Sequence, residues 1–420
     1  MLDTTKKVHE RAVLVGMGAE YSQALISGAD AFEELRLLAD TAGARVVGTL
    51  VQPRNEISPT YYIGSGKAEE LKTLVEEVEA DMVIFDHDLS PAQVANNEKL
   101  LSVKVIDRSG LILDIFALRA RTREARTQVE LAQLKYFLPR LTRHWTHLSR
   151  QQGGIGMRGP GETQIEVDRR RIRQRIDHLS NVLKKIERQQ EIGRNSRKGL
   201  FRVALVGYTN AGKSTLLNAL SGAEVPVENK LFKTLDSVTR QVCFGSTPDM
   251  LLSDTVGFIR NLPHDLIASF SSTLSEVRDA NLLLHVIDVT NPEWLEHAKV
   301  VENVLADLGT ADTERIEVFN KIDAVGQGGE IDLLMRSKPD ARFISAETGD
   351  GLDGLRDRIV RVLLRANPVI TREFTPEDHV LLASVYRLGT IIETATNNGN
   401  IVLTFSLPAP TASKLGLLDR

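Results

Sequence analysis

The sequence predicts a multidomain α/β protein with more than one core. Apolar runs of strand length alternate with amphipathic helical stretches, first near residue 11 and again after residue 199. A glycine-rich run ending in Gly-Lys-Ser-Thr follows the first strand of the second alternation. The 420 residues correspond to two to four domains of ordinary size. These three observations indicate parallel sheets flanked by helices.

The first predicted domain is a small α/β unit over residues 1–118. Its predicted strands lie at 11–16, 46–51, 82–85 and 103–106, and two of its helices at 31–42 and 68–79. Ser90 and Pro91 are typical of the cap and first turn of a third helix. The run Gly-Ser-Gly-Lys at 64–67 is not a complete phosphate-binding motif. Structural support and RNA docking are therefore favoured for this domain, with a second nucleotide site as the alternative.

The second predicted domain is a basic helical hairpin over residues 119–198. One long helix is expected from 111 to 136, and another over 166–190 has an apolar stripe. The domain carries 20 Lys and Arg against 8 Asp and Glu, a net charge of +12. Because the whole chain has a net charge of −4, its other residues carry −16. Such a block attracts polyanions and makes RNA a candidate partner, with a solvated helix surface as the alternative.

A glycine-rich loop at residues 153–161 joins the two predicted helices. Its backbone can approach a phosphate chain closely, and Arg158 lies within it. The candidate RNA-binding residues are therefore Arg158 in the loop and Arg169, Arg170 and Arg171 in the second helix. A plain connector is the alternative for the loop, and some of these arginines could instead brace the hairpin.

A phosphate-binding loop is the most specific motif of the chain. It matches G-x-x-x-x-G-K-[ST], follows a predicted strand and opens a predicted helix. Its residues are Gly207, Tyr208, Thr209, Asn210, Ala211, Gly212, Lys213, Ser214 and Thr215. Lys213 would reach the β- and γ-phosphates, and the Ser214 hydroxyl would coordinate Mg²⁺. The loop predicts a nucleotide-binding domain.

A second motif follows the predicted strand at 250–252. It consists of Asp254, Thr255, Val256 and Gly257. At the carboxyl edge of a sheet Asp254 can hold Mg²⁺ through water, and the Gly257 amide can meet a γ-phosphate.

The nucleotide base is indicated by two later motifs that also follow predicted strands. They consist of Asn320, Lys321, Ile322 and Asp323, and of Ser345 and Ala346. The Asp323 carboxylate can accept hydrogen bonds from guanine N1 and its exocyclic amine, and adenine lacks donors at both of these positions. A backbone amide of the second motif could meet guanine O6. The nucleotide is therefore predicted to be GTP or GDP.

The first switch is expected between the phosphate loop and Asp254. Its nucleotide-binding candidates are Phe232, Lys233, Thr234, Leu235 and Asp236. Thr234 would offer its hydroxyl to Mg²⁺ only when a γ-phosphate orders the segment. Thr239 is the competing candidate for this role.

With these motifs the chain resembles the translation-factor class of GTPases, and over nearly its whole length it is similar to the HflX family. The longer similarity rests on four runs, at residues 62–67, 107–116, 128–134 and 159–163. It implies a ribosome-associated GTPase that binds the large subunit near its catalytic centre, and we predict that this binding occurs in the GTP state. It also implies stimulation there, the separation of stalled ribosomes in bacteria, and Thr234 rather than Thr239 as the switch threonine.

The hydrolytic residue is not identified by the sequence. Many related GTPases have Gln directly after Asp-x-x-Gly to orient water, whereas this chain has Phe258, an apolar residue that the HflX pattern shares. Slow intrinsic hydrolysis is therefore expected, with a partner or a repositioned loop completing the site. Asn210 matches a position that holds K⁺ in some related GTPases, with a loop-shaping role as the alternative.

The predicted architecture is thus a P-loop GTPase domain over residues 199–367, preceded by the α/β domain and the basic hairpin. A linker bracketed by Pro368 and Pro376 leads to a small α+β C-terminal domain over 372–420, with strands at 390–396 and 401–407. The predicted function is GTP hydrolysis coupled to the ribosome. The alternatives are a nucleotide-gated scaffold for a protein partner and an RNA-remodelling NTPase, which Asn320 and Asp323 disfavour.

The composition fits a folded globular protein. Hydrophobic residues make up 42% and charged residues 26%, which excludes wholesale disorder and collagen-like or coiled-coil architectures. Cys243 is the only cysteine, so an intramolecular disulfide and a cysteine zinc cluster are excluded. No secretory signal or span-length apolar run is recognised. A cytoplasmic monomer is expected, with peripheral membrane association left open.

Overall fold

The computed structural model describes most of the chain as two compact units. It describes Tyr21, Phe232 and residues 9–18, 32–53, 56–141, 164–195, 200–222, 237–245, 247–260, 274–325, 329–397 and 400–417. Unit 1 comprises residues 1–186, 230–233 and 261–270, and unit 2 comprises the remainder. Within the described ranges, every helix is too short or too polar to cross a bilayer.

Unit 1 contains a four-stranded parallel sheet with the order β2-β1-β3-β4. Its elements are β1 (Glu10–Met17), α1 (Glu33–Ala42), β2 (Ala44–Gln52), α2 (Ser65–Glu77), β3 (Met82–Phe85), α3 (Pro91–Leu101), β4 (Lys104–Asp107) and α4 (Arg108–Arg119). The Ser90 side chain caps α3 reciprocally with Gln93, and Pro91 occupies its first turn. The predicted α/β fold of this region is confirmed.

The single helix predicted at residues 111–136 is wrong, because the chain breaks between two helices. Helix α4 ends at Arg119, and α5 (Arg123–Phe137) begins four residues later. Ala120 is extended, and the Thr122 hydroxyl accepts a hydrogen bond from the Ala125 amide at 3.1 Å. A threonine cap starts a new helix at this point although neither Gly nor Pro marks the break.

Helix α5 is anchored to the sheet by the buried carboxylate of Asp107. This carboxylate caps α4 through the Gly110 amide at 2.8 Å and accepts the Tyr136 hydroxyl at 2.6 Å. The Arg140 guanidinium donates to it at 2.8 Å and stacks on the Tyr136 ring. Burial raises the pKa of the Tyr136 hydroxyl, so this group stays a neutral donor.

Helix α6 (Gln164–Asn195) packs against α5 through a small apolar cluster. The cluster contains Leu131 from α5 and Leu179 and Leu183 from α6. This contact supports the predicted pairing of the two helices. The glycine-rich loop at 153–161 lies outside the described residues.

Unit 2 contains a six-stranded sheet with the order β10-β9-β8-β5-β7-β6, in which only β6 runs antiparallel to its neighbour. Its elements are β5 (Phe201–Gly207), α7 (Lys213–Ser221), β6 (Val238–Val242), β7 (Met250–Asp254), α8 (Ser275–Arg278), β8 (Leu282–Asp288), α9 (Trp294–Asp307), β9 (Arg315–Asn320), α10 (Gly329–Ser337), β10 (Arg342–Phe343) and α11 (Leu352–Ala366). Parallel strands bring the carboxyl ends of β5, β7, β8 and β9 to one edge, where polar residues follow each apolar run.

A three-stranded antiparallel sheet with the order β11-β13-β12 completes the chain. Its elements are β11 (Val369–Phe374), α12 (His379–Leu388), β12 (Thr390–Asn397), β13 (Asn400–Ser406) and α13 (Ala409–Lys414). The predicted hairpin is confirmed, and its tip at 398–399 lies outside the described residues. The linker predicted between Pro368 and Pro376 is instead β11, since Phe374 is buried in the small core of this sheet.

Candidate nucleotide-binding site

The phosphate loop, residues 207–215, connects β5 to α7 and requires glycine at two positions. A Cβ on Gly207 would lie 2.3 Å from the Val286 carbonyl oxygen. A Cβ on Gly212, whose φ is +93°, would lie 2.2 Å from Asn320 Nδ2. Asn210 also has a positive φ, +63°, a conformation that Asn tolerates better than most residues. The loop is therefore held closely against β8 and β9.

Lys213 is a buried cation that points back onto the phosphate loop. Its ammonium donates to the carbonyl oxygens of Gly207 at 3.0 Å and Tyr208 at 2.8 Å. Burial lowers the pKa of Lys213 to about 8, and the nearby Asp254 carboxylate opposes this shift. A bound phosphate would provide the negative charge that this buried ammonium needs.

Ser214, an expected Mg²⁺ ligand, lies beside Asp254, which is expected to hold the ion through water. The Ser214 hydroxyl donates to Asp254 Oδ2 at 2.6 Å, and Asp254 is 1% exposed. A hydroxyl and a carboxylate are ligands that Mg²⁺ prefers, with phosphate oxygens and water completing its shell, so the residues fit this ion. The described residues contain no cluster of three or more His, Cys, Asp or Glu side chains that could hold a metal ion.

The second switch segment, residues 257–260, lies directly against the phosphate loop. The Phe258 amide donates to the Gly207 carbonyl at 3.1 Å, and the Thr209 amide donates to the Phe258 carbonyl at 2.8 Å. A Cβ on Gly257 would lie 3.0 Å from Lys213 Nζ. The Thr255 hydroxyl is used structurally, donating to the Leu205 carbonyl at 2.6 Å. Gly257 therefore lies beside the lysine that is expected to reach the phosphates.

Asn320 joins the two base-recognition motifs to the phosphate loop. Its Nδ2 donates to the Ala211 carbonyl at 2.9 Å, and its Oδ1 accepts the Ala346 amide at 2.9 Å. In this structure the Ala346 amide is thus engaged by Asn320. Ser345 is fully buried, and its hydroxyl accepts the Thr348 amide at 3.0 Å.

The other base-recognition residues lie at the surface beside Asn320. Lys321 adopts φ +69° and donates to Asp288 Oδ2 at 2.6 Å. Asp323 is exposed on the short 3₁₀ turn Ile322–Ala324 and is accessible to a guanine base. Asp288, which ends β8 after an apolar run, was not among the predicted site residues. Its polar position at the carboxyl end of a strand is the signal that could have identified it.

Most of the predicted first switch lies outside the described residues, namely Lys233, Thr234, Leu235 and Asp236. Phe232 is described and belongs to unit 1, where its ring packs edge-on against Phe116 at a centroid distance of 4.7 Å. Thr239 lies on β6, and its hydroxyl lies 2.9 Å from the Ser253 hydroxyl. Thr239 is thus engaged in the sheet.

The candidate RNA-binding arginines differ in their surroundings. Arg158 lies outside the described residues. Arg169 is partly buried and donates to the Leu141 carbonyl at 3.0 Å, so its guanidinium braces α6 against the segment that follows α5. Arg170 and Arg171 are exposed on α6.

Three family models match consecutive parts of the chain. They are described as "GTP-binding GTPase N-terminal" at residues 29–117, "GTP-binding GTPase Middle Region" at 119–197 and "50S ribosome-binding GTPase" at 202–321. Together they span the α/β region, the paired helices and most of the six-stranded domain.

Curated relatives match over most of their lengths. GTPase HflX of Caldanaerobacter subterraneus is 50% identical over 88% of this chain and 84% of its own. GTPase HflX of Escherichia coli is 43% identical over 90% of this chain and 89% of its own. A solved structure of a GTP-binding protein from Sulfolobus solfataricus with GDP covers 85% of this chain and 99% of its own, with 26% identity and a TM-score of 0.43.

Proposed function

The chain belongs to the HflX family of GTPases, and from this premise we propose that it associates with the large ribosomal subunit in its GTP state and rescues stalled ribosomes by separating their subunits. The observation that carries this proposal is a phosphate loop bonded both to Asn320 of the base-recognition motif and to the second switch segment. The same chain has a charge of +12 over residues 119–198. Because ribosomal RNA is a polyanion, the basic block supplies affinity and the nucleotide supplies timing.

Hydrolysis in this proposal is slow until the ribosome completes the site. Phe258 is 2% exposed and has no polar atom in its side chain, so it cannot orient a water molecule. Ser214 and Thr234 would hold Mg²⁺, with Asp254 acting through water, and the ion would neutralise charge on the phosphates.

Asn210 is proposed to assist as a K⁺ ligand beside the phosphates. Its exposed side chain on the phosphate loop suits this role, and its positive φ equally suits loop shaping. Hydrolysis faster in potassium than in sodium at equal ionic strength is the expected outcome, and equal rates would remove the potassium role.

Co-sedimentation with purified large ribosomal subunits tests the main proposal. The full chain should pellet with subunits in the presence of a non-hydrolysable GTP analogue and remain in the supernatant with GDP. Subunit separation would then be measured on intact ribosomes by light scattering. Absence of binding in both states, together with ribonuclease-resistant capture of a protein, would favour the nucleotide-gated scaffold instead.

A further inference from the structure

Tyr208 connects the phosphate loop to the second switch segment through its side chain. Its hydroxyl accepts a hydrogen bond from the Arg260 amide at 2.9 Å. Its backbone forms a parallel bridge with Phe258, so the switch segment is joined to the loop at two successive places. Tyr208 is only 7% exposed, which limits the positions that its ring can take.

The ring of Tyr208 is fixed by a stack on helix α9. It lies parallel to the His297 imidazole, with a centroid distance of 3.7 Å and an interplanar angle of 5°. Burial lowers the pKa of His297 to about 4, so two uncharged rings stack at neutral pH. On the same helix end Glu293 accepts the Arg260 guanidinium at 3.0 Å. Arg260 is therefore held by its amide on Tyr208 and by its side chain at the start of α9.

This arrangement matters because the second switch segment has to act through its backbone. The Phe258 side chain is buried and cannot bind water, while Gly257 lies against Thr209 and Lys213 with no room for a Cβ. The Phe258 and Arg260 amides already donate to the phosphate loop, so the Gly257 amide is the group of this segment that would meet the γ-phosphate and the attacking water. Its placement decides the rate, because catalysis by positioning depends on small displacements.

We propose that Tyr208 is a positioning residue for GTP hydrolysis, holding the second switch segment where its backbone meets the γ-phosphate and water. This inference rests on GTP hydrolysis by the chain and requires no ribosome. Tyr208 acts through the backbone of residues 258–260, and His297 acts by fixing the ring of Tyr208.

The test uses the full chain, without ribosomes, and removes one atom. Tyr208→Phe keeps the stack and loses the acceptor for the Arg260 amide. Loss of one hydrogen bond predicts a fall in kcat of about 3- to 10-fold, with KM for GTP and GDP affinity changed less than about twofold. Amide hydrogen exchange at Arg260 should accelerate by a similar factor.

Two further variants separate positioning from folding. His297→Phe preserves a ring for stacking and should retain most of the activity. His297→Ala removes the ring and should lower kcat, although the phosphate loop itself is unchanged. Tyr386→Phe removes a hydroxyl from an exposed tyrosine and serves as the matched control. Thermal unfolding of each variant checks that the fold is intact.

The inference is overturned if Tyr208→Phe retains the wild-type kcat, or if its kcat and GDP affinity fall together. Unchanged exchange at Arg260 would overturn it as well. Since these assays contain no ribosomes, either result leaves the proposed ribosome association standing. Conversely, if the wild-type chain failed to bind ribosomal subunits in the co-sedimentation test, the role of Tyr208 in hydrolysis would be unaffected.

Discussion

Lys213 links nucleotide affinity to pH through its burial. In the free protein its pKa is lowered to about 8, and a phosphate needs the protonated ammonium. Above about pH 8 the free protein loses this proton, so the dissociation constant for GDP should rise, approaching tenfold per pH unit. Titrations between about pH 7 and 9 measure the effect. Lys213→Arg keeps its charge throughout this range, so its dissociation constant for GDP should not change with pH. A dissociation constant independent of pH in the wild type would contradict Lys213 as the titrating group.

Phe258 provides a second prediction at the scale of single residues. Phe258→Gln should not raise basal hydrolysis, because the side chain at this position is buried and its backbone is bonded to the phosphate loop on both sides. Burying an amide there should instead lower the free energy of unfolding by about 1–3 kcal/mol. Single-turnover hydrolysis and urea denaturation measure the two effects, with Phe258→Leu as the apolar control. A tenfold rise in the basal rate would show that glutamine alone was missing.

Among the structural elements, helix α5 depends on one carboxylate for its attachment to the parallel sheet. Asp107→Ala would remove the cap of α4 and leave the Arg140 guanidinium without its carboxylate. This change should lower the free energy of unfolding by about 3–5 kcal/mol. Denaturant unfolding of the full chain measures this loss. Asp312→Ala, an exposed position in unit 2, should change stability by less than about 0.5 kcal/mol. Weakened GDP binding by Asp107→Ala would contradict an effect confined to unit 1.

The elements also show how far local sequence patterns reach. The parallel strands of the two larger sheets are predictable where buried parallel strands form continuous apolar runs, and the site motifs directly follow several of them. The antiparallel strand β6 was not predicted. The break before Arg123 was missed because a threonine cap is a weaker signal than Gly or Pro. Strand β11 was missed because its burial comes from pairing with β13, far along the chain. The stack of Tyr208 on His297 was likewise invisible, since the two rings meet only in the folded domain.

For the whole molecule, the separation of charge gives the last prediction. Exposed arginines on α6 lie in a segment of +12 within a chain of net −4, so RNA should be attracted to α6 and repelled by much of the remaining surface. Binding to ribosomal subunits should therefore weaken steeply with salt. Arg169 is less suited to test this, because its guanidinium also holds the Leu141 carbonyl.

Replacing Arg170 and Arg171 together by Ala tests the contact at two exposed positions of α6, with thermal unfolding as the check on the fold. If both contact phosphates, the slope of log affinity against log salt should become shallower by about 1.4 to 1.8, at roughly 0.7 to 0.9 per lost contact. Nucleotide affinity should be unchanged, because the site lies in unit 2. The control replaces Arg361 and Arg387, exposed arginines outside the basic block, and loses the same charge. Equal slopes for the two double variants would mean that the change in salt dependence comes from net charge alone. That result would contradict α6 as the RNA-contacting helix.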